Sequence, residues 1–152
     1  MRWLIVLLIV ILGGCAHKPQ PLPVRPVAVV FKSPSFKVAG SGFLQKGRRL
    51  QLYNASTPLL DLRLGKRVCV NSRCTSYKLF NKKILSSSYP LALIKNILSF
   101  QPIFGGQNKT SIIGGFKQRF DNLGIIYKVY RGSLLFKDTK RHILIKIKEI
   151  DG

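Results

Sequence analysis

The strongest constraint on this chain is a two-residue rhythm of apolar side chains. Leu60, Leu62 and Leu64 alternate with Asp61, Arg63 and Gly65, and near the C terminus Ile143, Ile145 and Ile147 alternate with Leu144, Lys146 and Lys148. Successive side chains of a strand point to opposite faces, so each run reads as a half-buried strand. The same beat recurs at Phe36 and Val38, at Leu50 and Leu52, and over residues 124–131. Gln45-Lys46-Gly47-Arg48 reads as a turn, residues 111–120 as a weaker strand, and Leu134 to Lys137 as an outer strand or loop. One stretch departs from the rhythm. Serines 86–88 and Pro90 precede Leu91, Ile94, Ile97 and Leu98, whose spacing of three and four predicts a short amphipathic helix over residues 90–100. Together these readings predict a mainly β chain of some eight to ten antiparallel strands, with one or two short helices packed on them.

The N terminus carries a different signal. Arg2 is followed by an unbroken apolar run from Trp3 to Leu12 and then by Gly13-Gly14-Cys15. About 10 apolar residues are too few to cross a hydrocarbon core of ~30 Å as a helix. A charged start, a short apolar stretch and small residues describe a secretion signal. Leu12-Gly13-Gly14-Cys15 resembles the lipobox of bacterial lipoproteins. That resemblance implies cleavage before Cys15, acylation of Cys15, and a mature chain of 152 − 14 = 138 residues. Residues 15–30, with Pro19, Pro21, Pro23 and Pro26, read as an extended tether of polyproline type. Residues 31–152 then form one periplasmic domain. Ala16, rather than Asp, follows the cysteine, which favours the outer membrane in the sorting code of enteric bacteria.

With Cys15 assigned to lipid, Cys69 and Cys74 remain. A two-residue turn at Asn71-Ser72 would pair Val70 with Arg73 and set the two cysteines opposite one another, at a Cα separation of about 4.5 Å. A cross-strand disulfide is expected, with free thiols as the alternative. Four intervening residues are too many for a C-x-x-C redox motif, and neither His17 nor His142 completes a metal site.

Lys and Arg number 26 against five acids, for a net charge of +21, or +20 once Arg2 is removed. Such a charge binds polyanions at low salt. In an exported, lipid-anchored protein the expected partners are anionic lipids, lipopolysaccharide phosphates or an acidic protein rather than nucleic acid; a merely solvated basic surface is the alternative. No paired carboxylates, nucleophile elbow or phosphate-cradling loop is present, so no enzyme activity and no cofactor are expected.

As an ordered series, the region from Phe36 to Ile150 resembles the LolB-like outer-membrane lipoprotein receptors. The resemblance rests on Asn54-Ala55-Ser56-Thr57-Pro58-Leu59 leading into the alternating Leu60 to Leu64, and on Tyr89-Pro90-Leu91-Ala92-Leu93-Ile94 running to Gln101-Pro102. It is completed by Gln118 with Gly124-Ile125-Ile126-Tyr127, and by the strand Ile143 to Ile147. The chain departs from the family in having no tryptophan after Trp3 and Leu60 in place of a loop glycine. The resemblance implies a curved sheet, an incomplete antiparallel β-barrel under short helices, with a hydrophobic cavity. That cavity would receive acyl chains of lipoproteins from a periplasmic carrier and release them into the outer membrane, with the receptor acting as a monomer. Candidate lining residues are Phe36, Val38, Leu50, Leu52, Leu62, Tyr127 and Ile145 on the sheet, with Leu91, Ile94 and Leu98 on the lid; a filled core is the alternative for each. Leu59 is a candidate membrane-contacting tip, with strand-edge packing as its alternative.

Overall fold

The computed structural model describes residues 20–150. Eleven strands form a single antiparallel sheet: β1 Val24–Lys32, β2 Lys37–Gln45, β3 Arg49–Asn54, β4 Thr57–Leu64, β5 Val68–Val70, β6 Arg73–Thr75, β7 Lys109–Ile112, β8 Gly115–Phe120, β9 Ile125–Tyr130, β10 Ser133–Asp138 and β11 Ile143–Glu149. Their spatial order is β6-β5-β4-β3-β2-β1-β11-β10-β9-β8-β7. The chain meanders outward from β1 to β6, crosses over, and meanders back from β7 to β11, which pairs with β1. The sheet is open, its free edges being β6 and β7. The crossover between those edges holds α1 (Tyr77–Ile84), α2 (Leu93–Leu98) and a single 3-10 turn at Phe104–Gly106.

Period-two patterning decides what lies inside. Val29 and Phe31 of β1 face Ile147 and Ile145 of β11, Leu50 of β3 faces Leu62 of β4, and Phe136 of β10 faces Tyr127 of β9; all are buried. These inward residues form one apolar cluster with Phe80, Leu93, Ile94, Ile97 and Leu98 of the helices. A flat sheet of eleven strands would be about 48 Å wide. Two helices, each about 10–12 Å across with side chains, would leave half of it bare. Strands from β1 to β5 and from β8 to β11 nevertheless bury one face, so the sheet is rolled around the crossover.

Two glycines mark where it coils most tightly. A Cβ on Gly42 of β2 would lie 1.8 Å from the Gln51 carbonyl oxygen of β3, and one on Gly115 of β8 would lie 2.0 Å from the Val129 oxygen of β9. Only glycine allows backbones to approach so closely. The paired cysteines sit as the hairpin spacing predicts: Asn71 and Ser72 both have positive φ, Cys69 faces Cys74, and the disulfide joins Cα atoms 3.9 Å apart. On the outer face Arg49 and Arg63 both donate to Asp61, at 2.8 and 2.6 Å, and the Arg49 hydrogen bond is the main cause holding its carboxyl down at about 2.

The structure corrects several expectations. The domain begins before residue 31, because β1 starts at Val24 inside the stretch expected to be a tether. Pro26 is tolerated there because its carbonyl accepts from the Ile150 N–H, and its nitrogen faces the same side, past the end of the β11 ladder at Glu149. The second arm of the cysteine hairpin stops at Thr75; Tyr77 and Leu79 belong to α1, whose first turn is capped by the Ser76 hydroxyl accepting from Leu79 N–H at 3.2 Å. Residues 111–120 are two strands joined at Ile113-Gly114. The stretch from Leu134 to Lys137 belongs to an inner strand, flanked by β9 and β11. The helix expected over 90–100 is present but shorter, its last turn closed by Phe100 at φ 58°, with Gln101 N–H bonded to the Asn96 carbonyl. The signal segment and residues 15–19 of the expected tether, Cys15 included, lie outside the described residues.

Candidate functional site

The crossover lies against the concave face of the sheet and is fastened there mainly by side chains. Three inward-pointing polar residues on adjacent strands hold one flank. Gln118 of β8, fully buried, accepts from Ile103 N–H at 2.8 Å and donates to the carbonyls of Ile103 at 2.9 Å and Gln107 at 2.6 Å. Tyr127 of β9 donates its hydroxyl to the Gln101 carbonyl at 2.9 Å. Asp138 of β10, fully buried, accepts the Tyr89 hydroxyl at 2.6 Å and is neutralised by Arg141 at 3.0 Å. Burial pushes both phenol pKa values well above their ordinary range, and at Tyr89 the hydrogen bond to Asp138 adds to it. Each phenol therefore stays a donor. On the other flank Ser33 donates to the Ile84 carbonyl, Ser35 to the Lys83 carbonyl at 2.5 Å and Tyr77 to the Gly65 carbonyl at 2.8 Å. The Gly47 N–H bonds to the Leu98 carbonyl at 3.1 Å.

At one end of this seam the apolar interior reaches the surface. A cleft of about 320 Å³ opens there, walled by Tyr89, Pro90, Phe104, Phe120, Leu123 and Ile125, with the polar Ser88, Gln107 and Arg141 completing its lining. Phe104 and Phe120 meet edge to face, with ring centroids 5.0 Å apart, and the Arg141 guanidinium lies 5.3 Å from the centre of the Tyr89 ring. Such a volume is at the low end of ordinary ligand sites. Mainly apolar walls, with Ser88, Gln107 and the cation of Arg141 among them, suit an aliphatic tail bearing an anionic or ester head.

The sheet and helix candidates fall into three groups. Leu50, Leu52, Leu62, Ile94, Leu98, Tyr127 and Ile145 all come together on the concave side, each at most 1% exposed, and Phe36 and Val38 pack against them half-buried. In this closed arrangement they are core, filled by the helices' own side chains. Leu91 does not join them: it is 58% exposed, and Leu93 takes the buried place. Leu59 is a strand residue of β4, packed on the core about 3.3 Å from the Cβ position of Gly40, so it is not an exposed tip. The turn before it, Ala55-Ser56, carries no large apolar side chain.

Sequence reasoning missed Asp138, Arg141, Phe104, Phe120 and Leu123. The signal for Asp138 was its parity, since it continues the inward series Leu134, Phe136. Phe120 likewise continues the inward parity of Gln118 on β8, whereas Arg141, Phe104 and Leu123 lie at turns, where parity says nothing.

Among the described residues no group of three or more His, Cys, Asp or Glu side chains is placed to hold a metal ion, and no helix is long and apolar enough to cross a membrane. No protein-family model matches the chain, and no curated protein matches it significantly in sequence.

Proposed function

We propose that the protein is an outer-membrane-anchored periplasmic lipoprotein of LolB-like type, a non-enzymatic receptor for acyl chains that helps insert lipoproteins into the outer membrane. The observation that carries this reading is the seam: a rolled, open apolar sheet roofed by a short crossover, with a cleft where the interior meets solvent. The crossover between residues 77 and 106 is not part of the sheet's hydrogen-bond ladder. An acyl chain entering beside Phe104 and Phe120 can displace α2 from the concave face and replace apolar contacts with apolar contacts. Closure without cargo keeps the interior from standing empty or wet.

Each methylene buried from water contributes ~0.8 kcal/mol, so every two-carbon extension of a fatty acid should tighten binding by about tenfold. The test is displacement of a fluorescent fatty-acid analogue from the full chain by saturated fatty acids of ten to sixteen carbons. Saturable, chain-length-dependent displacement is expected. Absence of saturable binding, or affinity indifferent to chain length, overturns the proposal.

A second reading has its own observation. On the convex face Lys128, Lys137, Lys146 and Lys32 alternate with Leu135, Leu144 and Val30 across neighbouring strands, in a chequered array of cations and apolar patches. This array favours an accessory lipoprotein that binds an anionic glycolipid. Lipopolysaccharide binding without fatty-acid displacement would select it.

A further inference from the structure

The two ends of the rolled sheet differ in kind. The end where β1 begins carries the turns β2–β3, β4–β5, β7–β8 and β9–β10, together with the exit of β11. Leu22, Val24, Tyr130 and Ile150 are all exposed there, and Ile113, at the tip of the β7–β8 hairpin, is 87% exposed, the most exposed large apolar residue among those described. An isoleucine held out at the apex of a tight turn buries nothing in the fold. Its neighbour across the hairpin is cationic, Arg131, whose N–H bonds to the Gly114 carbonyl at 3.0 Å, and Arg48, Lys66 and Arg67 are exposed on other turns of the same end. Among the described residues the one acid at this end is Glu149, already engaged by Lys46 at 2.8 Å and Arg25 at 4.0 Å. The opposite end presents the polar turns Asp121-Asn122 and Thr139-Lys140.

We infer that this end is a membrane-contact rim, which docks on an anionic phospholipid bilayer with Ile113 inserted below the headgroups. Charge complementarity selects an anionic surface, and the isolated apolar tip selects a bilayer over a flat acidic protein, which offers no hydrocarbon to receive it. The course of the chain agrees. Cys15 precedes Val24 by 24 − 15 = 9 residue steps, which span at most about 32 Å. If Cys15 carries the lipid, as proposed above, the anchor leaves from this rim and holds it within reach of the membrane. Only the orientation rests on acylation; the exposed rim stands without it.

The chain has a single tryptophan, Trp3, which makes a local probe simple. In full-length protein carrying Trp3→Phe, Ile113→Trp should show a blue-shifted emission on phosphatidylglycerol vesicles and be quenched by brominated acyl chains. Asn122→Trp, at the opposite end, should show neither. Because the fluorophore reports only its own position, binding through any other part of the chain leaves it unchanged. Ile113→Asp, an exposed position whose change leaves the core intact, should lower the partition coefficient onto these vesicles by about tenfold or more. No shift at position 113, equal shifts at 113 and 122, or an Ile113→Asp chain that partitions like the parent would each overturn the inference. Fatty-acid displacement is unaffected by Ile113→Asp if the rim alone fails, so the two proposals are separable.

Discussion

Gln118 carries a primary amide into the apolar side of β8, where only backbone groups can satisfy it. It serves as a one-residue strand partner for the chain at Ile103, accepting from its N–H and donating to its carbonyl, with Gln107 taking the remaining proton. Replacing it with leucine would fill the space but leave these buried backbone groups without partners. Each such group costs about 1–3 kcal/mol, so Gln118→Leu should lower stability by about 3 kcal/mol in urea unfolding, and Gln118→Glu by at least as much at neutral pH, since its buried carboxylate would face two carbonyl oxygens with no proton to give them. At this scale the sequence was legible in part. The inward faces of Leu50, Leu52, Leu62, Tyr127 and Ile145 follow from parity alone. Whether an inward side chain lines a hollow or fills a core depends on what crosses over it, and that partner lies in a separate stretch of the chain, residues 77–106.

Among the elements, the strands with clean alternation were readable, and so was the cysteine hairpin, because each is a local pattern. Helix α1 was hidden by Tyr77 and Leu79, two apart in the manner of a strand; the better evidence was the cap Ser76 followed by Tyr77, Phe80 and Ile84 at helical spacing. Strand β1 was hidden by prolines that are harmless near a strand's start. The disulfide illustrates a division of labour between local and global stability. It closes a loop with a sequence separation of only 5, so loop-closure entropy gives it about 2 kcal/mol. Its place on the edge hairpin β5–β6 matters more. Reduction should leave the fold intact while raising amide exchange in Val68–Thr75 well above that of β1 or β11, measured by hydrogen exchange with and without reductant.

In the whole molecule, the rolled sheet separates two ends. The cleft mouth sits beside the β8–β9 turn and Arg141, whereas Ile113 and the start of β1 lie at the other ends of the strands. A nine-residue strand such as β1 is about 30 Å long. Capture and delivery, if both occur as proposed, are thus a full strand length apart, and cargo taken in at the distal mouth begins its journey facing away from the bilayer. The domain has to tumble on its leash to present that mouth to the lipid. Leash length then governs turnover rather than affinity: deleting residues 17–20 should leave fatty-acid displacement in solution unchanged and slow the transfer of a bound fluorescent acyl chain from anchored protein to vesicles, as read by stopped-flow. A receptor built this way would have a rate set by how freely it can somersault, a quantity written in the leash rather than in the cleft.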